Sequence, residues 1–234
     1  MSSSTFRPIC VVPCYRHEEG LKAFLPTLQT IGLPIVVVDD GNTPPMQPLE
    51  GVTLLRSEQN CGKGGALVLG AQWAHEQGYT HMLQIDADGQ HLVADAMTML
   101  EAAKQAPQAL FSGFPVYDAS VPKSREKGRE VTRFFVRLET GLKREDGLCG
   151  CRVYPLAQFL QVVDHVWTRR MGFDVEVIVK WHWAGGEVRQ HKVRVTYPVD
   201  GVSNFRMVKD NVNFFLLHMC LCCGRLLRLL RISR

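Results

Sequence analysis

The chain has 234 residues, of which 46% are hydrophobic and 21% charged. That length buries a full core, and that balance excludes a disordered or collagen-like polymer. The net charge of +4 is unevenly placed: residues 206–234 hold six Lys and Arg against one Asp, so the preceding 205 residues sum to −1, which excludes a basic nucleic-acid-binding body.

The opening stretch MSSSTFRPIC carries no apolar run of signal-peptide length, so the expected setting is cytoplasmic. From there, ICVVP (9–13) is a β-branched apolar run that predicts a buried strand. Leu21, Phe24, Leu25 and Leu28 recur at helical spacing within Glu19 to Thr30. PIVVVDDG (34–41) and VTLLR (52–56) predict the second and third strands. A helix entered through glycines runs from Gly64 to Gln77, a strand from His81 to Asp86, a helix from Leu92 to Ala106, and a fifth strand over 109–114.

Residues 115–130 are polar and aperiodic and read as a mobile loop, a candidate cover for a site. Helices are expected over Arg129 to Leu142, Pro155 to Val163 and Phe173 to Ala184, and a strand over 187–199. Strands alternating with helices predict an α/β domain with a parallel sheet covered on both faces. The expected organisation is a catalytic domain over 1–205 and a basic amphipathic helix over 206–234. The eight cysteines lack the spacing of a disulfide scaffold or a zinc site and read as thiols, mostly small core residues.

Sheets of this kind bind ligands beyond the carboxyl ends of their strands. Four polar clusters fall there: Pro13 to Glu19, Asp39 to Asn42, Asn60 to Gly65, and Asp86 to His91. In IDADGQH, Asp86 and Asp88 are two residues apart and project to one side of an extended segment. Gly89 permits a tight turn, and Gln90 can return a carbonyl oxygen to the same point. Such oxygens suit Mg²⁺ or Mn²⁺; a solvated turn or a helix cap is the plainer alternative. Asp39 and Asp40 read either as a contact to a base or ribose or as an Asp–Gly turn. NCGKGGAL offers close backbone approach, a lysine for a diphosphate and a helix N-terminus. It is neither a P-loop nor a dinucleotide fingerprint.

In order and spacing, VVPCYRHEEGL, IVVVDDGN, NCGKGGAL, IDADGQH, DGLCGCRVYP, MGFDVEVIVKWHWAGGEV and YPVDGVSNFRMVKDN resemble glycosyltransferase family 2 of the GT-A fold. The polyprenyl-phosphate sugar transferases are the most similar branch. The resemblance implies a metal-dependent, inverting hexosyltransferase that moves a sugar from a UDP- or GDP-linked donor to a lipid-linked or polyprenyl-phosphate-like acceptor. Pro13, Tyr15 and Glu18 then match the nucleotide loop, Asp39 and Asp40 the base and ribose contact, and Lys63 the basic residue of the glycine loop. Asp86, Asp88 and Gln90 match the metal and diphosphate ligands. Arg16 and His17 replace the common Asn–Glu, and Cys151 replaces the usual phenylalanine.

A hydroxyl acceptor needs a base, for which Asp174 or Glu176 is expected, with Asp146 a further candidate; a phosphate oxyanion needs none. Arg152, Arg206 and Lys209 are candidates to receive an anionic acceptor. A nucleotidyltransferase of related fold and a non-catalytic nucleotide-sugar-binding protein are the rival readings. The tail NFFLLHMCLCCGRLLRLLRISR starts with an apolar run shorter than a membrane span, followed by Arg225, Arg228, Arg231 and Arg234 on one half of a helix and leucines on the other. It reads as an interfacial helix on anionic lipid at the inner face of the cytoplasmic membrane, or as a helix packed on protein.

Overall fold

A computed structural model describes residues 6–117, 121, 123–142, 145–196 and 206–232. Seven strands form one sheet in the order β3-β2-β1-β4-β6-β5-β7. The strands are β1 (Pro8–Cys14), β2 (Ile35–Asp40), β3 (Thr53–Ser57), β4 (His81–Gln84), β5 (Leu110–Tyr117), β6 (Arg152–Pro155) and β7 (Val188–Val195). The helices are α1 (Glu18–Gln29), α2 (Gly62–Glu76), α3 (Val93–Gln105), α4 (Lys123–Thr140), α5 (Leu156–Val163), α6 (Phe173–Trp183) and α7 (Met207–Ile232).

Alternation along the strands builds two cores. Ile9, Val11, Val36 and Val38 face one layer with α2, α5, α6 and α7, while Cys10, Val12, Ile35 and Val37 face the other with α1 and α3. β1 and β2 are therefore apolar on both sides, which is why they read as unbroken apolar runs. Gly70 lets α2 lie close on the sheet, because a Cβ there would meet Val11 Cγ1 at 2.5 Å. Cys10, Cys14, Cys149 and Cys151 are buried free thiols in the second core.

The sheet is mostly parallel, in keeping with the expected α/β domain, and β6 runs antiparallel between β4 and β5. It reverses the chain through only four residues and begins on an arginine, so it lacks the apolar run that marked the other strands. The expected loop over 115–130 is largely regular: β5 extends to Tyr117 and α4 begins at Lys123, while 118–120 and 122 lie outside the described residues. The first two turns of α4 are polar, so they carry no periodic signal. The strand expected over 187–199 closes at Val195, and residues 197–199 also lie outside.

α7 is one continuous helix, and its 207–230 stretch, with a mean hydropathy of 1.4, is long and apolar enough to cross a membrane. The tail expectation, built on the apolar run alone, fell short of this because the helix also includes the mixed turns on either side. One face of α7 packs on α4 and α6, with Leu217, His218 and Leu221 buried. Arg225 donates to the carbonyls of Arg137 and Leu138 at the end of α4, and the Arg228 guanidinium lies 4.8 Å from the Trp183 ring. The described arginines of the stripe thus sit on the protein side of the helix, not on its free side.

Candidate functional site

The segment after β4 and the N-termini of α2 and α6 meet at Lys63. Its Nζ donates to Asp174 Oδ2 at 2.7 Å and pairs with Asp86 Oδ1 at 2.8 Å. Burial alone would depress the ammonium, but the carboxylates of Asp174 and Asp86 outweigh it and hold Lys63 charged above its usual range. Lys63 is brought there by the glycine loop. Gly62 has φ +80° and packs on the Arg169 carbonyl, and Gly64 N donates to that carbonyl at 2.8 Å.

Asp86 is seated against Gly150. A Cβ at that glycine would lie 1.8 Å from Asp86 Oδ2, so only glycine leaves room for this carboxylate. Asp88 stands beside Asp86, and its Oδ1 accepts from Gln90 N at 3.0 Å, closing the turn at Gly89. Burial and then the neighbouring Asp86 charge push the Asp88 carboxyl above its ordinary value. Of these two partly exposed carboxylates Asp86 is paired with Lys63, while Asp88, raised by burial and by Asp86, has no such ion pair, and a divalent cation fits beside it. Among the described residues no three His, Cys, Asp or Glu side chains form a metal-binding group. A cation here would complete its shell from Gln90, water and substrate oxygens. The Gln90 backbone carbonyl accepts from Thr196 N at 3.0 Å and keeps a second lone pair.

Asp39 and Asp40 are at the end of β2 as expected, but both carboxylates are buried and occupied. Asp39 accepts from the backbone of Asn42 and Met46, from the Asn42 amide and from Arg56. Burial would raise its pKa, and these donors outweigh burial and lower it. Asp40 accepts from Asn60 Nδ2 at 2.8 Å and from Cys61 N at 2.7 Å. The two acids brace the loops around them, and at Asp39, whose oxygens already accept from Asn42, Met46 and Arg56, a further ligand hydrogen bond would have to displace a donor. Pro13 is the penultimate residue of β1, Tyr15 is half-buried, and Glu18 pairs with Lys22 at 3.0 Å in the first turn of α1. Arg16 takes a left-handed φ of 59°, fixed by its N–H on Asn42 Oδ1 at 2.7 Å.

The matched family model is "Glycosyl transferase family 2", over residues 9–167. The chain belongs to glycosyl transferase family 2. It is 28% identical to an undecaprenyl-phosphate mannosyltransferase of Micrococcus luteus over 73% of this chain and 76% of the relative. It is 30% identical to a UDP-N-acetylglucosamine–dolichyl-phosphate N-acetylglucosaminyltransferase of Methanococcus voltae, over 62% and 67% of the two chains. In fold it is similar to a glucosyl-3-phosphoglycerate synthase of Mycobacterium tuberculosis crystallised with Mn²⁺, UDP-glucose and phosphoglyceric acid. That likeness has a TM-score of 0.67 at 14% identity and covers 95% of this chain and 80% of the other.

In this glycosyltransferase the three carboxylates expected as bases are all committed elsewhere. Asp174 is held by Lys63, by Gln84 Nε2 at 3.2 Å and by Arg152 at 3.8 Å. Burial opposes its ionisation, but Lys63 and Arg152 outweigh burial and lower its pKa, which makes it a poor proton acceptor. Glu176 accepts from Trp167 N, Thr168 N and Thr168 Oγ1, and so ties down the segment before α6. Asp146 is bound by Arg129 at 2.7 Å, Arg133 at 3.2 Å and Leu148 N at 2.9 Å.

Arg152, expected at the acceptor, is fully buried and donates to the carbonyls of Cys149, Gly147 and Asp174. Arg206 is exposed ahead of α7, where its N–H donates to Asp210 Oδ2. Arg129 and Arg133, missed in the sequence because they fell in the expected loop or helix without a motif, are the guanidinium groups gathered on Asp146. His91 is buried just before Leu92, the N-cap of α3, and burial lowers its pKa to about 4, so it is neutral at working pH.

Proposed function

We propose that this glycosyltransferase is metal-dependent and inverting, and that it transfers a sugar from a nucleoside-diphosphate donor to a lipid-linked phosphate acceptor. The observation that carries the reading is the Lys63–Asp86–Asp88 group. It combines one firmly charged ammonium with two adjacent carboxylates, one lacking a countercharge, at the mouth of a glycine loop. A bound Mg²⁺ or Mn²⁺ would neutralise the charge that develops on the departing diphosphate. Lys63 adds fixed positive charge on the same side, and Asp174, backed by Arg152 and Gln84, holds that ammonium in place.

The engagement of Asp146, Asp174 and Glu176 supports an acceptor that brings its own negative charge. A phosphate oxyanion attacks the anomeric carbon with no proton to remove, whereas a hydroxyl would need one of these occupied carboxylates. The names of the relatives, an undecaprenyl-phosphate and a dolichyl-phosphate transferase, support the same class. We assign the acceptor phosphate to Arg129 and Arg133 in place of Arg152. Both are partly buried, and the Arg129 guanidinium lies 5.5 Å from the Tyr117 ring at the end of β5. A lipid acceptor places the protein peripherally on the inner face of the cytoplasmic membrane.

Calorimetry of nucleoside diphosphates with Mn²⁺ tests the reading. Asp88→Asn is expected to remove the Mn²⁺-dependent part of the affinity, and unchanged affinity would overturn the metal assignment.

A further inference from the structure

α7 meets every length and composition requirement of a spanning helix, yet its two faces differ. Residues Asp210, Phe214, Leu217, Leu221, Arg225 and Arg228 follow helical spacing along the side that meets the protein. On the opposite side, Val208, Val212, Phe215, Met219, Leu226 and Leu230 form an exposed stripe. The inner side carries fixed polar partners. His218 Nδ1 lies 2.7 Å from Glu139 Oε1, both buried, and the His218 ring stacks on Phe135 at 4.7 Å. Crossing a bilayer would strip these partners away and take Asp210, His218, Arg225 and Arg228 into hydrocarbon.

The partner helix is exposed and apolar on the same terms. On α4, Val131, Phe134 and Leu138 sit three and four residues apart and are 57%, 58% and 48% exposed, although α4 as a whole is polar. α4 also carries Arg129 and Arg133. A groove lined by Trp167, Arg170, Met171 and Leu216 separates α7 from the segment before α6, and the carbonyl of Arg169 in that segment anchors Gly64. The apolar surface therefore reaches from the outer side of α7 to the rim of the glycine loop.

We infer that α4 and α7 together form a monotopic docking platform for a phospholipid bilayer, and that α7 lies flat in the interface without crossing it. Exposed apolar residues on two helices packed against each other call for a partner. A lipid surface fits because the exposed Arg137, Arg206 and Lys209, on these helices or just ahead of α7, supply positive charge that matches phosphate headgroups. The inference rests on the lipid-acceptor reading for its purpose, since a platform containing α4 holds Arg129 and Arg133 close to the headgroup level, where a lipid phosphate resides.

The test is flotation of the full chain with sealed vesicles of neutral and of anionic phospholipid. Two paired variants, Phe134→Glu with Leu138→Glu on α4 and Leu226→Glu with Leu230→Glu on α7, are each expected to lower the bound fraction at least tenfold. Thermal melting and the nucleotide-induced melting shift report that both variants remain folded. A tag placed after Arg234 is expected to stay open to protease added outside wild-type vesicles. A protected tag, or an α4 pair that floats like wild type, overturns the proposal. So does a wild-type chain that ignores vesicles and forms a dimer dispersed by the same substitutions. Asp88→Asn serves as the separating control: it should float normally and transfer nothing. Wild type that floats but transfers to no lipid phosphate would defeat the acceptor reading and leave the platform intact.

Discussion

Gly150→Ala is the sharpest single perturbation. The new Cβ would stand 1.8 Å from Asp86 Oδ2 and 2.3 Å from its Cγ, against 3.4 Å for an ordinary contact. Because the obstacle is the carboxylate itself, Asp86 must move by more than an ångström, which breaks its 2.8 Å pairing with Lys63 and its alignment with Asp88. A misplacement of about 1 Å at a reacting centre costs about 10²-fold in rate, and loss of one preorganised electrostatic group costs about 10²–10³-fold. Transfer measured as kcat/KM should therefore fall at least ~100-fold. Overpacking of this kind destabilises by about 1–3 kcal/mol, so the melting temperature should drop by only a few degrees. Gly128→Ala is the control: nothing lies within 4 Å of its Cβ on α4, and activity should hold. A Gly150→Ala enzyme within threefold of wild type would refute the placement of Asp86.

Asp88→Asn should make the metal-free protein melt higher at neutral pH, because the raised pKa of Asp88 means its ionised form is penalised in the folded state. The same change should abolish the Mn²⁺-induced melting shift, which in wild type should fade as pH drops through that raised pKa. For Asp174 the sign is opposite: its lowered pKa contributes stability at neutral pH that is lost as pH falls through the folded value. Asp174→Asn should lower stability by about 2 kcal/mol in denaturant melts, less than a fully buried pair because Lys63 is partly exposed. A melting curve like wild type would contradict the ion-pair reading. Glu176→Gln should destabilise through loss of its three donors at 167–168 while altering kcat little at permissive temperature, whereas a catalytic base would lose its rate without losing stability.

β1 and β2 were legible as β-branched apolar runs, β2 ending on Asp39 and Asp40, and the clusters after β1, β2, β3 and β4 fall at one end of the sheet because those strands are parallel. β6 was not legible, since four residues beginning with Arg152 carry no period, and the start of α4 was hidden by its polar first turns. The site was legible as residue types but not as pairings. Asp39 and Asp40 look like ligand contacts until Arg56, Asn42, Asn60 and Cys61 arrive from other loops to occupy them. Asp174 looks like a base until Lys63, 111 positions earlier, is found on it. Arg152 looks like a surface cation until β6 buries it. Sequence spacing reports which face a side chain takes within its own element; it carries no record of partners delivered by distant elements.

The central claim is transfer to a lipid phosphate without a protein base, and one assay addresses it directly. Full-length protein on anionic vesicles, with Mn²⁺ and a polyprenyl phosphate, is supplied with a panel of UDP- and GDP-sugars, and the lipid product is followed by mass spectrometry. One donor should yield a polyprenyl-phosphate sugar, and wherever they remain folded the Glu176→Gln variant should transfer like wild type while Asp146→Asn and Asp174→Asn, which loosen Arg129, Arg133 and Lys63, should transfer more slowly but not lose transfer. Transfer to a polyprenol hydroxyl instead, abolished by one of those three substitutions in a folded protein, would contradict it.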